Sequence, residues 1–270
     1  MMPKGDAVSQ LSPRKAGFDD IRRWLSSGWA LFRHTRPVSL AYAALFCAGA
    51  AAIFPAVVVL GFTPMTIPFA GAFMLIAPAF LSGFFGLADR IEAGEKPRMA
   101  HLVGAFRANS PSLWVLSLVC AFLFLVWVTD AATVYAMYFG TTPIFFLAQF
   151  FQSLFRDWSL ISFLLFTSAM GAVLAFIIFA ISAFAVPLLY YRRTDLAGAV
   201  SASVRGVFVN FPVMMAWALL LSAAIFVTLL IFLPALVAVF PVLAYAGREA
   251  YRTVFPVGEA VSMEQRKLSA

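Results

Sequence analysis

The sequence predicts an all-α fold: a polytopic membrane helical bundle with six transmembrane helices arranged as three hairpins. Three observations predict it: an excess of apolar residues, five long apolar runs, and a one-sided distribution of basic residues. Of 270 residues, 63% are hydrophobic and only 11% charged, and the mean hydropathy is +0.94. Soluble domains are about 45–50% apolar and about 25% charged, so this chain has too little polar surface to cover a water-soluble globule. Two cysteines, Cys47 and Cys120, cannot staple a disulfide scaffold. The net charge of +7 is spread thinly over the ends of apolar segments, so no nucleic-acid partner is expected.

Taken in order, residues 1–17 are polar and aperiodic and read as a disordered tail, and the first 36 residues lack the apolar stretch and cleavage site expected of a signal peptide. Phe18, Ile21, Leu25, Gly28 and Phe32 then form one helical face, opposite Asp19, Arg22, Arg23, Ser26 and Arg33. This predicts an amphipathic helix lying in the cytoplasmic interface. The first two spans follow, Val38 to Leu60 and Ile67 to Ala88. Each run is long enough for a hydrocarbon core roughly 30 Å thick. A second amphipathic stripe, Met99, Leu102, Val103 and Phe106, precedes the third span, Pro111 to Val128 with a continuation to Phe139. Ile144 to Phe155 is too short to span and reads as a helix on the outer surface, a float or a lid. The fourth span is Trp158 to Tyr191, and a third amphipathic segment starts at Asp195. Residues 256–270 read as a second disordered tail, leaving 18–255 as a single membrane domain.

The last run, Phe211 to Ala246, holds 36 residues without a charge. A straight helix of that length would measure roughly 54 Å, nearly twice the core thickness. It is either one tilted span or a hairpin turning near Phe232-Leu233-Pro234. Lys and Arg accumulate in cytoplasmic loops, and the hairpin places 18 of 19 basic residues on one side, leaving only Arg156 outside. The hairpin therefore gives six spans with both termini cytoplasmic. Basic residues on that face are expected to meet anionic lipid headgroups.

An internal repeat organises the chain. At an offset of 175, Asp20 meets Asp195, Ser26 meets Ser201, Pro37 meets Pro212 and Tyr42 meets Trp217. Three units, about 18–93, 98–191 and 195–252, each read as an interfacial helix, a proline and a hairpin. Pro78, Pro187 and Pro241 are expected to kink the second span of each unit.

Chemistry is sparse. Ionisable groups inside spans are costly and mark function, and Asp130 near the outer end of the third span is the one candidate. With Gln149, Gln152 and Arg156, which share a face of the outer helix, it forms a candidate outer polar site. No catalytic, cofactor or metal site is expected. His34 and His101 read as headgroup-facing residues, and two histidines cannot build a haem–copper centre. There is no phosphate-binding, nucleophile-elbow or metal-ligand motif.

The stretches WLSSGWALFRHTRPVSLAYA, LADRIEAGEKP, AISAFAVPLLYYRRTDLAGAVSASVRGVFVNFPVMMAWA and GREAYRTV resemble an uncharacterised bacterial inner-membrane family, domain of unknown function 2189. The resemblance runs over about residues 18–255 and is strongest from Pro187 to Pro212. It implies a multi-span inner-membrane protein, with no catalytic residues to carry over. Two functions compete: a non-catalytic scaffold or accessory subunit packing against a membrane-protein partner, and a carrier for an apolar or amphiphilic, lipid-like molecule. Small-residue helix faces favour the first; repeated, proline-broken spans favour the second.

Overall fold

A computed structural model describes residues 11–59, 78–140 and 158–256. All regular structure among the described residues is helical: α1 Phe18–Val59, α2 Pro78–Glu92, α3 Met99–Arg107, α4 Pro111–Phe139, α5 Trp158–Ser182, α6 Ala185–Tyr190, α7 Leu196–Val209, α8 Phe211–Ile231 and α9 Leu236–Val254. A 3-10 turn, Leu233–Ala235, joins the last two. Among the described residues, four stretches are long and apolar enough to cross a membrane: Pro111–Phe139, Trp158–Tyr190, Phe211–Thr228 and Leu233–Val254. The expected first span lies within α1 as far as Val59. Residues 67–77 of the second and the outer helix at 144–155 lie outside the described residues.

Helix ends follow local chemistry. Ser110 caps α4 by accepting from the Leu113 nitrogen at 3.3 Å, with Pro111 in the first turn, where its missing N–H costs nothing. Asp195 caps α7 through the Gly198 nitrogen at 3.0 Å. Gly140 closes α4 at φ 61°, a conformation that favours glycine.

The first repeat unit departs from expectation. An amphipathic helix, a proline and a separate span were predicted, but α1 runs unbroken for 42 residues through Pro37, roughly 63 Å of helix. Pro37 faces outward, so the hydrogen bond it deletes lies on the exposed side. The buried stripe Trp24, Gly28, Phe32, Thr35, Ser39 and Tyr42 continues past it without a shift of face. The third unit does break, at Asn210, between α7 and α8. There the Asn210 side chain accepts from the Ala16 nitrogen at 2.7 Å and donates to the Arg14 carbonyl at 3.0 Å, holding the segment ahead of α1. Asp20 and Asp195, matched by the repeat, also differ: Asp195 is a cap, whereas Asp20 accepts from the upstream Gly17 nitrogen and pairs with Arg23.

The dominant packing is α1 against α9. The helices run antiparallel, with Trp24 Nε1 donating to Thr253 Oγ1 at 2.9 Å near one end and the Ser39 and Tyr245 hydroxyls 2.7 Å apart further along. The Phe211–Ala246 run divides at Phe232, whose extended φ of −149° ends α8 before the Leu233–Ala235 turn. Pro187 acts as expected on its span: lacking an N–H, it cannot bond the carbonyl four residues back, and the helix stops at Ser182 and resumes at Ala185. Ser203 of α7 bridges that break, accepting from the Phe184 nitrogen at 3.0 Å and donating to the Ala180 carbonyl at 2.8 Å.

Candidate functional site

The strongest polar constellation lies where α2, α6 and α9 end together. Arg248 of α9 is fully buried, and a guanidinium without partners would be costly there. Its five N–H groups are all used. Nε donates to the Tyr191 hydroxyl at 2.8 Å; Nη1 and Nη2 fork onto Glu92 at 2.8 and 2.9 Å. Nη2 also donates to Asp89, and Nη1 to Glu249 at 3.4 Å. The Tyr191 hydroxyl in turn donates a hydrogen bond to Asp89 Oδ1 at 3.0 Å, so it bridges acid and base. Arg252, one turn beyond Arg248, forks onto the same Glu92 carboxylate at 2.6 and 2.8 Å.

Spacing makes this fit possible. Asp89 and Glu92 stand three apart on α2, and Arg248 and Arg252 four apart on α9, so each pair occupies one helix face. Burial works against the Glu92 charge, but hydrogen bonds from Arg248 and Arg252 overcome it and hold the carboxyl at about 2. Tyr191 stacks on Tyr251 at 5.7 Å, and Arg193 donates to the Tyr251 hydroxyl at 3.3 Å and the Phe255 carbonyl at 2.8 Å. The result is an ionic pin that fastens three chain segments.

Next to the pin is a cavity of about 170 Å³ between α2, α5, α6, α8 and α9. Phe85, Phe179, Pro187, Trp217, Phe240 and Gly247 are among its walls. Its single hydroxyl side chain, Ser182, already donates to the Ile178 carbonyl at 2.6 Å. The α2 stripe Pro78, Leu81 and Phe85 lines it, and the next turn on that stripe is Asp89.

The sequence candidates fare differently. Asp130 is half-buried on α4 and makes no ion pair among the described residues. Gln149, Gln152 and Arg156 lie outside the described residues. His34 is exposed on α1, but His101 does not face outward as expected: it is mostly buried, its Nε2 3.4 Å from Glu95. The Arg248 pin escaped sequence reading because its halves stand 156 to 159 residues apart. The signal was present in the stretches ADRIE and GREAYR, which put an acid pair three apart and a base pair four apart, each on one helix face.

Helices long enough to span, apolar side chains directed outward and a charged cluster confined to one end define a polytopic helical membrane protein. Residues 66–190 match the family described as predicted integral membrane protein, domain of unknown function 2189. The match is narrower than the resemblance over residues 18–255, and it includes Asp89 and Glu92 but stops before Arg248. No curated protein and no solved structure matches this chain significantly.

Proposed function

We propose that this protein is a non-catalytic scaffold or accessory subunit of a bacterial inner membrane, with six spans and both termini cytoplasmic. The observation that carries the reading is Arg248, whose donors are all engaged by side chains of the same chain. The strongest charges in the protein thus fasten helices to one another, leaving none of that guanidinium for a substrate. Outward, α4 and α5 present Leu118, Phe122, Leu125, Leu165 and Phe166, an apolar surface suited to lipid or to another membrane helix. On α1, Arg22, Arg23, Arg33 and Arg36 are exposed on one side, placed to meet anionic headgroups.

Purification in mild detergent after crosslinking in intact cells tests the reading. A membrane protein recovered in fixed stoichiometry, and lost when Leu118 and Phe122 are replaced by alanine, is the expected result. Recovery of the chain alone under every crosslinking condition would overturn it. The carrier reading is favoured by one feature, the apolar cavity. Sealed vesicles containing the purified protein should move a fluorescent lipid between leaflets if that second reading holds, and should not if the protein is a scaffold.

A further inference from the structure

Gly247 stands in the interior of α9, where glycine weakens a helix relative to alanine. Two other helix glycines, Gly28 and Gly206, have a packing reason: a Cβ on Gly28 would collide with backbone, and one on Gly206 would press on Phe184 and Phe255. A Cβ on Gly247 would meet nothing within 4 Å, because Gly247 opens onto the cavity. The missing side chain is part of the empty space.

The cavity walls say what would fill it. They are mostly apolar, and the hydroxyl among them, that of Ser182, is committed to its own helix, so the lining suits an apolar occupant. Apolar cavities of about 150 Å³ stay dry and accept benzene or xenon. At about 170 Å³ this one takes a run of several methylenes. Two walls are α5 and α8, both long and apolar enough to span. These helices meet through Phe176 and Phe211, whose rings are 6.2 Å apart, and otherwise make only marginal contact. Ala175, Phe179, Ser182 and Leu221 are half-buried along that gap. An opening between two spans faces the bilayer interior.

We propose that this cavity is a binding site for the acyl chain of a membrane phospholipid, entered sideways between α5 and α8, with Gly247 keeping it open. The site rests on neither functional reading above, since a scaffold can hold a lipid chain without moving it. Asp89 follows Phe85 by one turn on α2 and Arg248 follows Gly247 on α9, so the ion cluster adjoins this end of the cavity, and in the proposal the headgroup stays outside.

Trp217 lines the cavity and is only 3% exposed, so a chain in bulk lipid does not touch it. The probe is phosphatidylcholine carrying bromine on its acyl chains, which quenches tryptophan on contact. Full-length protein is placed in vesicles of brominated or plain lipid, as wild type, Trp217→Phe, Gly247→Leu and Gly247→Ala. Wild type should lose more fluorescence to bromine than Trp217→Phe, and the difference is the Trp217 component. Gly247→Leu should abolish that component, and Gly247→Ala, which adds one methyl and retains the helix, should reduce it in part. A Trp217 component that is absent in wild type, or unchanged in both Gly247 variants, overturns the proposal. A second arm adds brominated free fatty acid to plain vesicles. Quenching of Trp217 by the fatty acid but not by the brominated phospholipid overturns the assignment to phospholipid.

Discussion

Gly28 of α1 lies flush against Ala246 of α9: a Cβ built on it would stand 2.8 Å from the Ala246 nitrogen and 2.6 Å from the Val242 carbonyl oxygen. Both obstacles are backbone, so no side chain can swing aside. Gly28→Ala should therefore push the two helices apart and destabilise the protein by about 1–3 kcal/mol, the usual cost of overpacking. Gly104 on α3 provides the contrast, because a Cβ there meets nothing within 4 Å. Gly104→Ala should stabilise slightly, by up to about 1 kcal/mol, through helix propensity alone. Thermal unfolding in one detergent, followed by circular dichroism, checks the opposite signs. Equal effects would remove the claim that α1 and α9 meet at Gly28.

Arg248 and Arg252 share the Glu92 carboxylate but differ in setting, the first fully buried and the second 42% exposed. Arg248→Ala leaves Asp89 and Glu92 facing an empty site. Breaking a buried pair costs about 3–5 kcal/mol; because both acids are partly exposed, roughly 2–3 kcal/mol is expected here. Arg252→Ala should cost no more than about 1 kcal/mol. Arg248→Lys retains charge but offers three donors in place of the five-donor fork, so it should fall between wild type and Arg248→Ala. Unfolding midpoints of the three variants give the order directly, and a larger loss in Arg252→Ala would contradict it.

The contrast between Asp130 and Arg248 shows what sequence reading can reach. Asp130 drew attention because it interrupts an apolar run, a local signal; Arg248 follows a run, and its meaning depends on Asp89 and Glu92 far upstream. Helical class and the break near Phe232 were legible because hydropathy and basic-residue counts are properties of the chain alone. The unbroken α1 was not, since a proline signals a boundary locally while the buried stripe through Thr35 and Ser39 is set by α9. The cavity was illegible for the same reason: Gly247 reads as an ordinary small residue until five helices surround it.

Ser203 substitutes for the helix that Pro187 interrupts. Its fully buried hydroxyl receives the Phe184 N–H and donates to the Ala180 carbonyl. Ser203→Ala removes both bonds and leaves a buried amide proton without a partner, a loss of about 1–3 kcal/mol. Ser201, its neighbour on the exposed side of α7, should tolerate alanine within about 0.5 kcal/mol. Hydrogen exchange gives a second reading, because the Phe184 amide should exchange faster in Ser203→Ala than in wild type. Unchanged protection of that amide would show that another group closes the break.

The Glu92 carboxyl ties stability to acidity. Its pKa is lowered from 4.5 to about 2 in the folded protein, so the folded state holds the carboxylate in ionised form more tightly than the unfolded chain does. For a depressed acid the contribution is fully present above the unfolded value and is lost as pH falls toward the folded one. Stability should accordingly decline between pH 4.5 and about pH 2 as protonation releases Arg248 and Arg252. Glu92→Gln lacks this titration, so its midpoint should lie below that of wild type near neutrality and converge with it at the acid end. Unfolding midpoints measured across that range, in a detergent whose headgroup does not titrate, separate the Glu92 contribution from other carboxylates. Parallel curves for wild type and Glu92→Gln would mean that the ion pair with Arg248 adds nothing to stability.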